Sequence, residues 1–494
     1  MTGTAAREDA ATPDLLDAEP LIARGTTCLR RLGLRAEERV AVLLDNDPTT
    51  FGVLAAACLE GIVPVPLPGD LGGPEADEIL ADAAPVAVVA TPERARRLAA
   101  RHGRRGPRRR TPPPSAGPLL HAVTPDDLRA LPPTDPSASW PRTRPMAYTS
   151  GTTGRRKGVH VGVHDAAWGE EVVADEHAAF DRRHGDRHLV VSPLYHSGPF
   201  RFALVSALLG GRIAVLPRFD AAAWSQALRT LRPTSLFCVP TQLHRLAAGS
   251  DDLTEDLASL DLLAHAGAPC PVPLKERVLR AAPDGAVWEF YGATEGQFTT
   301  CPPADWTAAP GTVGRARPGR RLVVRRDDGS VAPSGEVGTV WAHVPDHARF
   351  SYWRDPARTT AAWDGDAFTV GDLGHLDDAG RLFLAGRPGD LVITGGVNVY
   401  PAEVERFLLG VPGVAEAAVF GVPDDDWGQR LVAAVVPWPG AELDAATVRA
   451  TLARQLGRAK VPKDVLVVAE LPRTPTGKVR RAGNALVELW RSGA

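Results

Sequence analysis

The sequence has little that would support a disulfide framework, a metal-thiolate site or a membrane span. Its 494 residues contain five cysteines, and no two of them have the CxxC spacing of zinc or redox sites. The first thirteen residues include acids and lack an apolar centre, so they do not resemble a secretory signal. The longest apolar stretches, such as 202–216, are shorter than the roughly 18 residues a membrane span needs. We therefore predict reduced thiols and a cytoplasmic protein.

The overall charge gives no reason to expect a polyanionic partner. The net charge is -3, so neither nucleic acid nor an anionic membrane is predicted as the main partner. An Arg- and Pro-rich segment at 101–118 could bind an anionic partner, but its lack of periodicity favours a solvated surface loop. Apolar residues make up 44% and charged residues 23%, as in ordinary globular proteins. The composition alone does not decide between a monomer and a homodimer.

Short apolar runs alternate with helical patterns over most of the chain. RVAVLLD (39–45) and VAVVAT (86–91) are typical of buried strands, and similar runs recur between 188 and 296. Such alternation predicts βαβ units with a largely parallel sheet, an α/β fold. The last hundred residues differ, because Pro401 and Asp444 mark helix starts between strand-like runs at 414–422 and 431–437. We predict a large N-terminal domain, 1–389, and a small C-terminal α+β domain, 390–494.

The stretch YTSGTTGRRKG (148–158) has the composition of a phosphate-binding loop. Glycines allow successive backbone N–H groups to point into one concavity, and Ser and Thr hydroxyls add donors. The stretch does not fit GxxxxGK[ST], because Lys157 is followed by Gly158, and it does not fit the dinucleotide pattern GxGxxG. Taken alone, such a loop is as often a flexible turn as a binding site.

Together with four later motifs, this stretch resembles the adenylate-forming superfamily. The motifs are, in order, HAGAPCP (265–271), EFYGATEG (289–296), FTVGDLGHLDDAGRLFLAGRPGD (368–390) and PRTPTGKVRR (472–481). With PLYHSGPF (193–200) and GGVNVYPAEVE (395–405), they are most similar to bacterial fatty-acyl and aryl-acid CoA ligases. The resemblance covers about residues 15 to 485 and implies a mobile C-terminal lid domain.

The resemblance implies a role for each matched residue. The ATP phosphates would be bound by Thr149, Ser150, Gly151, Thr152, Thr153, Gly154 and Lys157. AMP would be bound by Gly267, Ala268, Pro269, Phe290, Tyr291, Gly292, Ala293, Asp372 and Arg387. The catalytic set would be Lys478, Thr294, Glu295 and His196, with Glu295 as the Mg²⁺ ligand. The acid pocket would be formed by His196, Ser197, Phe200, Gly267 and Gly292. Gly395, Gly396 and Trp427 would form the CoA tunnel, and Asp390 the hinge.

The implied activity is ATP-dependent activation of a small-molecule carboxylic acid as acyl-AMP, followed by transfer to CoA. ATP, Mg²⁺ and CoA are the expected cofactors and substrates. An alternative is a non-CoA acceptor, a carrier-protein thiol or an amine, or activation of a small acid such as nitrite for aryl-amine diazotisation. A nucleotide-binding regulator is a third hypothesis, which the joint presence of Lys478, Glu295 and Asp372 disfavours. Arg156, where the family often has proline, is expected to face solvent.

Overall fold

The computed structural model describes residues 12–69, 73–102, 118–149, 156–394, 397–424, 426–457, 460–473, 479–480 and 484–493. Several predicted features lie outside these ranges. They are most of the Arg-rich segment, the phosphate-loop residues Ser150–Gly154, the glycine pair Gly395 and Gly396, and the predicted catalytic Lys478. No helix within the described ranges is long and apolar enough to cross a membrane.

The first unit of the chain is a four-stranded parallel sheet with strand order β3-β2-β4-β5. Strands β2, β3 and β4 are almost wholly buried, and the edge strand β5 is only partly buried. Its elements and the short strand before them are β1 (Leu16–Asp17), α1 (Ala18–Arg31), β2 (Arg39–Leu43), α2 (Pro48–Glu60), β3 (Val63–Pro66), α3 (Gly73–Ala83), β4 (Ala87–Ala90), α4 (Pro92–His102), β5 (Leu119–Ala122) and α5 (Pro125–Arg129).

Local sequence explains why α2 forms where it does. The Asp47 side chain accepts a hydrogen bond from the backbone N–H of Thr49, Pro48 occupies the first helical position, and Gly61 closes the helix at a φ of 70°. Glycine also sets its packing, since a Cβ on Gly25 of α1 would lie 2.3 Å from the carbonyl oxygen of Gly52 in α2. The two helices therefore approach closely and share one apolar core.

The second unit is a six-stranded sheet with order β1-β9-β8-β10-β11-β12, parallel except for β1. A separate hairpin, β6–β7, precedes it and presents the ends of the predicted phosphate loop. The elements of the hairpin and of the second unit are, in chain order, β6 (Ala147–Thr149), β7 (Lys157–His160), α6 (Ala166–Phe180), β8 (Arg187–Val190), α7 (Ser197–Leu208), β9 (Arg212–Val215), α8 (Ala221–Leu231), β10 (Ser235–Cys238), α9 (Pro240–Gly249), α10 (Leu253–Leu257), β11 (Leu262–His265), α11 (Val272–Ala281) and β12 (Val287–Glu289).

An antiparallel unit follows, and its strand β17 pairs with β7 of the β6–β7 hairpin. Its main sheet has the order β18-β19-β16-β20-β21, with β15 also paired to β16. Its elements are β13 (Thr299–Thr300), α12 (Pro303–Ala308), β14 (Arg315–Ala316), β15 (Arg321–Arg325), β16 (Gly338–His343), β17 (Ser351–Tyr352), α13 (Pro356–Ala362), β18 (Trp363–Asp364), β19 (Ala367–Phe368), β20 (Leu373–Leu376) and β21 (Leu382–Gly386).

The C-terminal unit has its own sheet, β23-β22-β25-β24, with β26 parallel to β25, and its own core. A 3₁₀ turn, Pro388–Asp390, separates it from β21. Its elements are β22 (Val392–Thr394), β23 (Val397–Val399), α14 (Pro401–Leu408), β24 (Val414–Asp424), β25 (Gly428–Pro437), α15 (Ala445–Gln455), β26 (Asp464–Val467) and α16 (Ala485–Arg491). The predicted α/β class with a smaller C-terminal α+β domain is confirmed.

A ring contact joins the two domains. Trp438, just after β25, packs on His244 of α9 with ring centroids 3.5 Å apart. Burial, with the nearby Arg245 charge, lowers the pKa of His244 to about 4, so this imidazole is neutral at neutral pH.

Candidate active site

The predicted site residues lie on loops that follow strand ends. Gly267, Ala268 and Pro269 leave the carboxyl end of β11 and are exposed, and Gly267 adopts a φ of 91° that favours glycine. Phe290 to Ala293 follow β12, the neighbouring strand. Because carboxyl ends of parallel strands meet at one sheet edge, both segments lie at the edge where open α/β sheets bind ligands.

One group of charges surrounds the start of β7. Lys157 Nζ lies 2.8 Å from Glu295 Oε1 and donates to the Tyr352 hydroxyl at 2.8 Å. The same hydroxyl donates to Glu295 Oε1 at 2.8 Å, and Lys157 Nζ lies 4.1 Å from the Tyr352 ring centroid. Glu295 is only 4% exposed. We call these three residues the phosphate-side triad.

A second group connects Tyr291, Asp372 and Arg387. The Tyr291 hydroxyl donates to Asp372 Oδ2 at 2.6 Å, and Arg387 Nε donates to Asp372 Oδ1 at 2.7 Å. Burial, followed by the charge of Asp372, raises the pKa of Tyr291 far above its usual range, so the phenol stays protonated and remains a donor. The structure thus brings together three residues that the sequence assigned to AMP.

The start of α7 carries the predicted acid-pocket residues. Ser197 is the first helical residue and His196 its N-cap, with the His196 ring 4.3 Å from that of Tyr195. Phe200 is buried at 2% exposure and packs on Phe51 in the core beneath the sheet. The next residue, Arg201, instead lines a small cavity beside Gly296 and Gln297.

Arg156 does not face solvent, so that prediction was wrong. Its guanidinium forms an ion pair with Glu75 of α3, and its side chain is 21% exposed. A cation at this position therefore joins the β6–β7 hairpin to the first unit of the fold. The ion pair between Arg156 and Glu75 could not be predicted from the sequence, because the two residues are far apart in the chain.

In the C-terminal domain, Trp427 is 43% exposed between β24 and β25, and Lys463 Nζ lies 4.3 Å from its ring centroid. Gln429, where glutamate is frequent in the family, accepts the backbone N–H of Ile393 at 2.8 Å. An amide oxygen can accept this backbone hydrogen bond as a carboxylate oxygen would. Asp390 ends the 3₁₀ turn between the domains.

Sequence reasoning missed Tyr352 and the arginines around Arg201. The Tyr352 signal was present as FSYWR (350–354), which has three aromatics in five residues, but no single residue type there indicates catalysis. The arginines come from separate segments, and no linear motif joins them.

Sequence profiles of two families match the chain. The profile of the AMP-binding enzymes matches residues 21–353, and that of the AMP-binding enzyme C-terminal domain matches residues 403–478. This chain belongs to the AMP-binding enzymes. The identification with the adenylate-forming superfamily, close to the acyl- and aryl-CoA ligases, is confirmed, and the chain is an AMP-forming acid–CoA ligase by family. ATP and CoA are the substrates this family implies.

Individual relatives match most of the chain. Indoleacetate–CoA ligase of Aromatoleum aromaticum is 33% identical over 473 residues, which cover 93% of this chain and 90% of that protein. Sulfoacetate–CoA ligase of Cupriavidus necator is 36% identical over 376 residues, covering 74% and 72%. Among solved structures, ATP-bound MatB from Rhodopseudomonas palustris superposes with a TM-score of 0.79 at 29% identity, covering 99% of this chain and 97% of that one.

Proposed function

We propose that this enzyme joins an organic acid to ATP as acyl-AMP and then passes the acyl group to CoA, using the residues described above. The observation that carries the proposal is the phosphate-side triad, which holds a cation and a buried carboxylate at the end of the predicted phosphate loop. The named substrates of two relatives, indoleacetate and sulfoacetate, support an organic acid as the first substrate.

In the first step the acid's carboxylate oxygen attacks the α-phosphorus of ATP. The bond from the α-phosphorus to the bridging oxygen breaks, and pyrophosphate leaves with the bonding electrons. The reactants are all anions, so the protein must place positive charge and hydrogen-bond donors where negative charge develops in the transition state. Lys157, with the loop that begins at Thr149, would hold the leaving phosphates, and Lys478 would lie between the acid and the α-phosphate. Thr294 would donate its hydroxyl to the α-phosphate.

The nucleoside would bind between the ends of β11 and β12. Asp372 would accept hydrogen bonds from the two ribose hydroxyls, since one carboxylate can accept from adjacent O–H groups. Arg387 already pairs with Asp372 and would hold it in place. Tyr291 both fixes Asp372 through its hydroxyl and offers an aromatic ring near adenine.

Glu295 fits an Mg²⁺ ion that arrives with the nucleotide. Among the described residues no group of three His, Cys, Asp or Glu converges as a metal cage. Mg²⁺ is usually held by one or two carboxylates plus substrate phosphates, which a single Glu295 satisfies. When bound, the ion would neutralise phosphate charge, and Tyr352 and Lys157 keep the Glu295 carboxylate oriented.

In the second step the CoA thiol gives up its proton to water and its sulfur attacks the acyl carbon, the bond from that carbon to the AMP oxygen breaks, and AMP leaves. Gly395 and Gly396 would leave space for the pantetheine arm, and Asp390 would serve as the hinge. Trp427, half exposed beside Lys463, offers an aromatic face and a cation for the adenine and phosphate of CoA.

The test supplies purified protein with ATP, Mg²⁺ and a panel of acids, with and without CoA. Pyrophosphate is measured, and products are identified by mass spectrometry. We expect CoA thioesters. AMP formation with a product unchanged by CoA would favour a carrier-protein or amine acceptor, and no pyrophosphate from any acid would favour a nucleotide-binding regulator.

A further inference from the structure

A buried lysine lies where two segments of the candidate site leave the central sheet. Lys275 of α11 is 1% exposed, and its ammonium group contacts His265 Nε2 and donates to Glu289 Oε2 at 3.4 Å. His265 is the last residue of β11 and Glu289 the last residue of β12, and the two are partners in the parallel sheet. We call these three buried residues the lysine cluster.

Each partner of the lysine directly precedes one segment of the candidate nucleotide site. The loop 267–269 begins two residues after His265. Glu289 begins an antiparallel hairpin, 289–301, whose first and last residues are joined by two backbone hydrogen bonds. In these bonds the N–H of Glu289 donates to the Cys301 carbonyl at 3.0 Å, and the N–H of Cys301 donates back at 2.7 Å. One ammonium group therefore connects the loop and the hairpin where both begin.

The protonation states within the lysine cluster depend on one another. Burial, followed by the charge of Lys275, lowers the pKa of His265 well below its usual value, so the imidazole is neutral and its Nε2 can accept from the ammonium group. Burial raises the pKa of Glu289, and the charge of Lys275 opposes that rise. Without the ammonium group, His265 would lose a donor and the buried carboxyl would lose its stabilising charge.

Stability alone does not account for a lysine at this position. Burying an ammonium group is costly, and a buried ion pair is often no more stabilising than apolar side chains of the same size. Lys275 is also the fourth residue of α11, at the end of the helix where the dipole disfavours a cation. A satisfied buried polar network can, however, specify one geometry more strictly than apolar packing does. Its place at the start of two site segments indicates that geometry is what the lysine supplies.

We propose that Lys275 is a positioning residue for nucleotide recognition, which fixes the spacing between the loop 267–269 and the 289–301 hairpin so that the adenine base is held between them. The inference rests on the proposed function and deepens it. Lys275 acts through these two segments, because its own side chain is buried. Thr294 and Glu295 lie in the turn of the same hairpin, so a shift at its base would also displace the groups assigned to the α-phosphate and Mg²⁺.

The experiment compares ATP with ITP in the wild type and in Lys275→Met, by pyrophosphate release with an acid that the wild type uses. ITP has the same sugar and phosphates as ATP and a base of the same size, but a carbonyl replaces the amino group of adenine. Met keeps the length of the lysine side chain without its charge or donors. We expect the wild type to prefer ATP by at least about 10-fold in kcat/KM. Lys275→Met should reduce that preference by about 5-fold or more and raise the KM for ATP by about 10-fold, because displaced segments no longer match adenine.

The outcomes separate the inference from the proposed function. Equal losses with ATP and ITP in the folded Lys275→Met enzyme would overturn the inference alone, as would a wild type that uses both nucleotides equally well. No pyrophosphate from any acid with the wild type would overturn the proposed function and the inference with it.

Arg182→Met is the matched control, because it removes a buried cation from an ion pair at the opposite edge of the same sheet. Arg182 lies 3.1 Å from Asp186, which directly precedes β8 at its amino end. This variant should lose stability in urea yet keep the preference for ATP within about 2-fold. A preference that falls with stability in Arg182→Met as it does in Lys275→Met would overturn the inference.

Glu289→Gln decides the matter if Lys275→Met folds poorly. The amide keeps an acceptor for the ammonium group and removes the charge of the carboxyl. The preference for ATP should then fall by about 2- to 5-fold, since a charged hydrogen bond becomes a neutral one. An unchanged preference in the folded Glu289→Gln enzyme would overturn the inference.

Discussion

Removing the Tyr352 hydroxyl tests whether the phosphate-side triad acts in catalysis. Tyr352→Phe keeps the ring under Lys157 and removes one donated and one accepted hydrogen bond, each 2.8 Å long and each to a charged group. Hydrogen bonds to charged groups contribute about 1.5–3 kcal/mol apiece, but Lys157 and Glu295 remain in contact with each other. We therefore expect a loss of about 1–3 kcal/mol in the free energy of unfolding, below the sum of the two bonds.

The kinetic effect should exceed what that loss of stability explains. If the hydroxyl keeps Glu295 and Lys157 oriented for the ATP phosphates, kcat/KM for pyrophosphate release should fall by about 10- to 100-fold. Unfolding in urea gives the stability, and a coupled pyrophosphate assay at varied ATP gives the rate. Thr312→Val is the control, since its buried hydroxyl also makes two hydrogen bonds, to Leu382 and Gly314, outside the triad.

The result that would refute this reasoning is a Tyr352→Phe enzyme that loses stability like the Thr312→Val control and keeps its ATP kinetics. The triad would then be a structural contact between β7 and β17. A change confined to the acid's KM would also contradict it, because the triad lies at the phosphate loop and not at the start of α7.

Three further predictions concern other groups. Asp372→Asn should raise the KM for ATP by about 10-fold with little change in the KM for the acid, measured by pyrophosphate release; an unchanged KM for ATP would remove Asp372 from the ribose site. Lys478→Ala should abolish adenylation yet leave thioester formation from supplied acyl-AMP largely intact, and equal loss of both steps would contradict separate geometries for the two half-reactions. Burial lowers the pKa of His188 to about 3, below about 6.5 for an unfolded chain, so unfolding takes up a proton there, and this residue alone should make stability fall by about 1.4 kcal/mol per pH unit as pH drops below 6.5. His188→Asn keeps a donor to Ser235 Oγ and should reduce the slope by about that amount in urea titrations between pH 4.5 and 7, whereas an unchanged slope would show that His188 does not contribute.

Most of the fold could be predicted because its signals are local. Asp47, Pro48 and Gly61 delimit α2, and Asp444 caps α15 by accepting from the Thr447 N–H. Continuous hydrophobic runs indicate the parallel strands, because both faces of a parallel sheet are buried. The family motifs then predicted which loops form the candidate site. These features depend on residues that are neighbours in the sequence.

The parts that could not be predicted depend on distant contacts. Lys157 and Tyr352 are 195 residues apart, and the pairing of Arg156 with Glu75 likewise joins separate elements. At the start of α7, the family resemblance assigned Phe200 to the acid pocket, whereas in the structure Phe200 packs in the core and Arg201 lines the cavity. Which of these two consecutive side chains is buried in the core and which lines the cavity depends on where the helix packs, and no local sequence pattern specifies that.

The contact between Trp438 and His244 predicts that the position of a mobile C-terminal domain would depend on protonation of His244. The ring of Trp438 helps to keep His244 away from water, and that burial holds the pKa of His244 at about 4. If the C-terminal domain moves away, the imidazole becomes hydrated and its pKa returns toward 6.5, so the separated arrangement binds protons more tightly. Thermodynamic linkage then requires that acid pH between about 4 and 6.5 shifts the population toward separated domains. If the lid rotates between the two half-reactions, as the family resemblance implies, this one aromatic contact would couple the proton concentration to the balance between the two arrangements.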